Sequence, residues 1–329
     1  MLKIMILPTD SKDFKACYPQ FKVLLDTRNQ ERRLERVLER INDLNHNKEI
    51  FLKFERYMRI EEGLSITRIE RVFVNLLKIN KWVNKPFSKF EKEDIVKVLE
   101  IILNKKYSPY TEQTYKVILK KFFRWFGRAA LVNWIPYTLK SDVKPPEYLL
   151  TRNDIYTLIY ATNNIKHKAM IYCLYESGCR ISELLGLRIK NIIFDEYGAV
   201  LLVNGKTGFR RVRIIESVPL LKQWLKYHPF SKNQDSPLWF DKGKFMLSDT
   251  SRKIIKRIAK KAGINKKIDH QLFRKSRATE LANYLTEPQL REFMGWSPSS
   301  TMPSIYVHLS GRDVDKAIIR IAEEMRVKV

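Results

Sequence analysis

Two arginines, a lysine, a tryptophan and a tyrosine stand in a spaced order in the C-terminal half of this 329-residue chain. Arg180 lies in ESGCRISELLGL, Lys206 in VNGKTGFRRVRI, Arg274 in HQLFRKSRAT, and Trp296 and Tyr306 in MGWSPSSTMPSIYVH. These residue types suit a tyrosine attacking a phosphodiester. Such a reaction needs a nucleophile, neutralisation of the charge on the developing phosphorane, and a proton for the leaving 5′ oxygen. A phenol, with a pKa of about 10, is a weak nucleophile until its proton leaves or its anion is stabilised. A guanidinium stays charged, and its planar fork holds two nonbridging oxygens. A tyrosine joined to phosphate conserves the bond energy, so a hydroxyl of another strand can displace it later. That chemistry calls for no cofactor.

Local context sharpens each role. Arg180 follows Gly178 at a helix start, and Glu183, three residues on, either orients the guanidinium across one helical face or is an exposed helix charge. Lys206 sits at the tip of a hairpin turn, GKTG. The Trp296 indole donates a hydrogen bond but cannot act as a base. Among 15 tyrosines, Tyr306 alone is paired to this context.

The constellation resembles the tyrosine recombinase, or phage-type integrase, family. GCRISELLGL is close to the pattern around the family's first arginine, FRKSRAT resembles its LRHSFAT, and IYVH resembles its IYTH ending. Trp296 follows Gly295 where the family most often has histidine and sometimes tryptophan, and Tyr306 comes at the family's spacing. The clearest departure lies beside Arg274. The usual histidine three residues earlier is Gln271, with His270 one residue before it, and the position just after the arginine is Lys275. Three substitutes stay open: His270 through a local shift, which an imidazole's proton chemistry favours; Gln271 as a neutral donor; or Lys275 as an extra cation.

The resemblance covers about residues 47–329, most closely 170–310. It implies a C-shaped clamp on double-stranded DNA, with Lys206 delivering a proton from the minor groove. Four protomers then synapse two duplexes and exchange strands through 3′-phosphotyrosine links, without metal or ATP. A C-terminal helix, Asp313–Glu324, packs on a neighbouring protomer. FRKSRAT with GWSPSSTMPSIYVHLS looks most like archaeal members.

Composition agrees. Lys+Arg of 62 against Asp+Glu of 36 gives a net charge of +26, on a chain whose 44% hydrophobic content supports ordinary packing. So large a surplus points to a polyanionic partner, since each neutralised phosphate releases a condensed counterion. Three cysteines, Cys17, Cys173 and Cys179, have no framework spacing, as expected in a reducing cytoplasm, and no apolar run suits a membrane span.

The elements that must position these groups read as mainly α with a small three-stranded antiparallel sheet. Residues 1–46 form an extension with a helix over Arg28–Leu44, read as an extra packing helix, the alternative being an arm that touches DNA or another protomer. Residues 47–128 form four helices with apolar residues at three- and four-residue intervals, resembling the helical core-binding domain. Residues 129–146, ending in Pro145-Pro146, form a linker, and 147–329 an α-rich catalytic domain. In that domain Ile192–Phe194, Ala199–Val203 and Phe209–Ile215 read as strands. Helices follow over Pro219–Tyr227, Ser251–Ala262, Phe273–Tyr284, Glu287–Met294 and Asp313–Glu324. The function expected is a site-specific DNA recombinase. A type IB topoisomerase and a non-enzymatic basic DNA-binding protein are the competing readings.

Overall fold

The computed structural model describes residues 27–44, 46–136, 148–205, 208–310, 318–319 and 321–323. Lys206, Cys17, Pro145-Pro146 and most of the expected helix Asp313–Glu324 lie outside the described residues. The chain divides into two compact units, Leu25–Val143 and the residues from Lys144 onwards.

The first unit is wholly helical among its described residues: α1 (Thr27–Asn42), α2 (Lys48–Arg56), α3 (Ile66–Val83), α4 (Lys92–Asn104) and α5 (Pro109–Trp125). A π-helical turn, Tyr57–Glu61, continues α2. Periodic apolar residues drive the assembly, because each amphipathic face needs a partner. Leu34, Val37 and Ile41 of α1 enter the same core as Phe51, Phe54 and Phe73, so this core begins before residue 47. Its phenylalanines meet edge to face, with Phe54 and Phe122 at 5.2 Å and Phe87 and Phe122 at 4.7 Å between ring centres. Trp125 belongs to the same packing, its ring 4.6 Å from that of Phe54.

The second unit is built around a buried helix. α6 (Arg152–Tyr160) and α7 (Ile165–Ser177) open it, and Ala169 to Ser177 of α7 are buried on every side. After the short α8 (Ile181–Leu185) come β1 (Ile192–Asp195), β2 (Gly198–Gly205) and β3 (Gly208–Ile214), antiparallel and adjacent in chain order. The β2–β3 register ends at Gly205 opposite Gly208, so Lys206 falls between these two paired glycines. α9 (Val218–Lys226), a two-residue hairpin of β4 (Phe240–Asp241) and β5 (Lys244–Phe245), and α10 (Ser248–Lys261) follow. The unit continues with α11 (His270–Leu281), α12 (Glu287–Met294) and α13 (Met302–Ser310).

Caps explain where these last helices begin. Asp269 accepts the backbone N–H of Leu272 at 2.8 Å, which starts α11 at His270 rather than at Phe273. Thr286 and Gln289 form a reciprocal capping box at α12.

Candidate active site

Arg180 is placed by the end of α7. Gly178 adopts φ 56, a left-handed conformation that favours glycine, and a Cβ there would also come within 3.0 Å of Met294 Sδ. The chain turns out of the buried helix, and Arg180 becomes the residue that begins α8. Cys179 beside it is fully buried, and burial pushes its thiol up, so it fills space rather than attacks.

Glu183, on the first turn of α8, is buried and orients Arg180. Its carboxylate accepts the Arg180 backbone N–H and the Arg180 Nη1, each at 2.8 Å. Gly205 permits this approach, because a Cβ at that position would overlap Glu183 Oε1. A second guanidinium, that of Arg210, also donates to Glu183, Nη2 to Oε2 at 2.8 Å. Burial alone would raise the Glu183 carboxyl, but hydrogen bonds and charge from Arg210, then Arg180, outweigh it and hold the carboxyl below its ordinary value.

The carboxyl end of α12 gathers the arginines. Phe293 O accepts from Arg210 Nε at 3.1 Å, Met294 O from Arg274 Nη2 at 2.5 Å, and Gly295 O from Arg180 Nη2 at 3.0 Å. Terminal helix carbonyls lack intrahelical partners and carry the negative end of the helix dipole, so cations are favoured there. Arg274 is fixed at its other corner by Gly178 O, 2.7 Å from Nη1. Burial, and next the charge of Arg180, lower the Arg274 guanidinium to about 10, still charged at neutral pH. Three guanidiniums around one carboxylate leave a positive surplus for an anion.

The nucleophile candidate stands against this cluster in the same chain. α13 packs on α11 and α12. The Tyr306 ring stacks on Trp296 at 5.3 Å with 6° between planes, and Arg274 Cζ lies 5.7 Å from the centre of the Trp296 ring. Tyr306 is 5% exposed. Burial pushes its phenol up, and the Arg274 charge opposes this only in part, so the group is a phenol at neutral pH.

The structure thus brings together Arg180, Glu183, Arg274, Trp296 and Tyr306. Lys206 lies outside the described residues. His270 packs against α10. It sits in the first turn of α11, buried, with Nε2 3.2 Å from Ser251 Oγ of α10. Burial first, then the charge of Arg252, lowers it, and Asp269 and Asp249 oppose; neither Arg180 nor Arg274 is among the charges that act on it. The Asp269 cap places His270 in the first turn of α11, where its ring meets Ser251 of α10. Gln271 and Lys275 are exposed on α11. Arg210 escaped notice in the sequence, although a signal was present. It alternates with Val212 and Ile214, whose side chains face the core, so an inward arginine was legible from the strand period.

Known proteins resemble this chain in sequence and in fold. The pattern of the phage integrase family matches residues 149–312. The tyrosine recombinase XerD of Proteus mirabilis is 27% identical, over 82% of this chain and 91% of its own length. The tyrosine recombinase XerA of Pyrococcus furiosus is 29% identical, over 83% of this chain and 93% of its own. In fold, the chain is similar to the XerH site-specific recombinase bound to palindromic difH substrate, at a TM-score of 0.64 and 20% identity, covering 82% of this chain and 83% of that one. A lambda integrase tetramer bound to a Holliday junction gives a TM-score of 0.61 at 14% identity, covering 78% and 76%.

Proposed function

The chain belongs to the tyrosine recombinase family, and from that premise we propose that it is a site-specific DNA recombinase whose nucleophile is Tyr306. One observation carries this reading: the Tyr306 ring stacks on Trp296, which lies under the guanidinium of Arg274.

The chemistry follows from the placement. The Tyr306 oxygen attacks a DNA phosphorus, and its phenolic proton passes to water as the P–O bond forms. The guanidiniums of Arg180 and Arg274 take the charge that grows on the nonbridging oxygens, and the Trp296 N–H is a further donor. The bond to the 5′ oxygen breaks, and Lys206 is assigned the proton that this oxygen takes up. A 5′ hydroxyl of a second strand then displaces the tyrosine and reseals the backbone. Double-stranded DNA is the partner, engaged by a homo-oligomer on paired sites in the cytoplasm. Among the described residues no helix is long and apolar enough to cross a membrane.

The test uses two labelled duplexes carrying a target selected from a random-sequence pool. Wild-type protein yields crossed products, and Tyr306→Phe binds but yields none. Nicking and closing without crossed products would instead favour the type IB topoisomerase reading, and crossed products from the Phe variant would remove Tyr306 from its role.

A further inference from the structure

Arg210 is a buried arginine with no part in the chemistry just described, yet it ties its own strand to two other elements of the site. From β3 it donates Nη2 to Glu183 of α8 and Nε to Phe293 O at the end of α12. Its side chain is 9% exposed. It also explains Gly295. A Cβ there would lie 2.7 Å from Arg210 Nη1, 2.8 Å from Cζ and 2.9 Å from Cδ, so the guanidinium occupies the space that a side chain would need. The Gly295 carbonyl is the one that receives Arg180, and Trp296 is the next residue. One guanidinium therefore braces the carboxylate that aims Arg180 and the peptide that leads to Trp296 and Tyr306.

We propose that Arg210 is a positioning residue for DNA cleavage, a clip that fastens Glu183 to the carboxyl end of α12 so that Arg180 and the Trp296–Tyr306 segment hold one geometry. The inference rests on the recombinase reading above. The strand that carries Arg210 also pairs with β2, up to Gly208 opposite Gly205. The clip thus joins that strand pair to the tyrosine's own segment within one subunit.

The charged and titratable groups facing Glu183 are Arg180 at the start of α8, Arg210 on β3, Cys179 at the end of α7 and Arg274 on α11. With Arg210 gone, Glu183 stays buried and keeps Arg180 as its one hydrogen-bonded cation, so burial weighs more heavily and the carboxyl moves up.

Wild type, Arg210→Gln and Arg210→Lys are compared on a nicked duplex that traps the covalent adduct, at saturating DNA. Arg210→Gln is expected to keep DNA affinity while single-turnover adduct formation falls about 10²-fold, the scale of a misplaced reacting group. Its residual rate climbs with pH as Glu183 ionises, at higher pH than the wild-type carboxyl does. Arg210→Lys keeps a cation against Glu183, but one ammonium cannot also fasten Phe293 O; its profile follows the wild type's and its rate stays below it.

A carbon-13 titration of the Glu183 carboxyl in free protein gives a readout that needs no catalysis. It moves up in Arg210→Gln. Wild-type adduct rates in both variants, or an unmoved Glu183 titration, overturn the role. Should Arg210→Gln fail to fold, the Lys variant decides alone, a slower rate supporting the clip and a wild-type rate removing it. An inactive wild type counts against the recombinase reading, while the carboxyl titration still judges the clip.

Discussion

Glu183 is the most exacting residue of the site, a buried carboxylate between two arginines. Its folded-state pKa is depressed, so it binds fewer protons folded than unfolded around the carboxylate range. Its stabilising contribution is complete above the ordinary glutamate value and is lost as pH falls through the depressed one. Glu183→Gln should cost about 3–5 kcal/mol at neutral pH, because the buried Arg210 and the half-buried Arg180 lose their partner. Thermal melts from about pH 3 to 7 check this, and the variant should lose part of the wild type's acid-side decline. Arg274→Lys should retain DNA binding but lose cleavage by about 3–4 kcal/mol of barrier, since an ammonium cannot span Gly178 O, Met294 O and a phosphate. Single-turnover cleavage measures it.

At this scale the motif residues could be read because each reacting group needs a particular side-chain type. The histidine substitute could not, because its position depends on which residue caps α11. Asp269 does so, and that sends His270 to Ser251. A charge such as Arg210, whose work is to hold another residue, carries no motif of its own beyond its strand alternation.

Elements fix the geometry through two features at the end of α12. Its carbonyls take three arginines, and Gly295 ends it at φ 62. Gly295→Ala would meet both left-handed strain, about 1–3 kcal/mol, and the Arg210 guanidinium. Gly263 is the control, with φ 69 and nothing within 4 Å of its would-be Cβ. Gly263→Ala should lower the melting temperature by strain alone. Gly295→Ala should lower it further and slow adduct formation as well. Equal losses in the two, with unaltered cleavage, would deny the contact a role.

Most elements in the second unit were legible, since the β-branched runs around DEYG and GKTG became β1–β3 and Glu287–Met294 is a helix with those bounds. The hairpin of β4 and β5, two residues in each strand, was not, because so short a pairing has no period to detect. α10 begins at Ser248, three residues before the apolar pattern suggested, as its first turn is polar.

At the scale of the whole molecule, the described residues form two compact units, each with its own main core, on one basic chain. Phe51, Phe54 and Phe122 centre one cluster, and α7 with β2 and β3 builds another. Each unit buries its own apolar faces, so a fragment of residues 25–143 should melt cooperatively by itself, as circular dichroism would show. A non-cooperative melt would mean that this core needs the rest of the chain. The mainly α character came from apolar spacing over long segments, whereas the membership of α1 in the first core depends on tertiary contacts that no local pattern records. The net charge of +26 predicts DNA affinity that falls steeply and linearly in log salt, and filter binding at several salt concentrations measures the slope.

The central claim is that one phenol of this chain becomes bonded to DNA inside the arginine cluster. Protein trapped on a nicked duplex, digested and sequenced by mass spectrometry, tests it without recourse to activity ratios. The account predicts a single modified peptide, carrying a 3′-linked nucleotide on Tyr306. A nucleotide on any other residue, or linkage through the 5′ end, would contradict it.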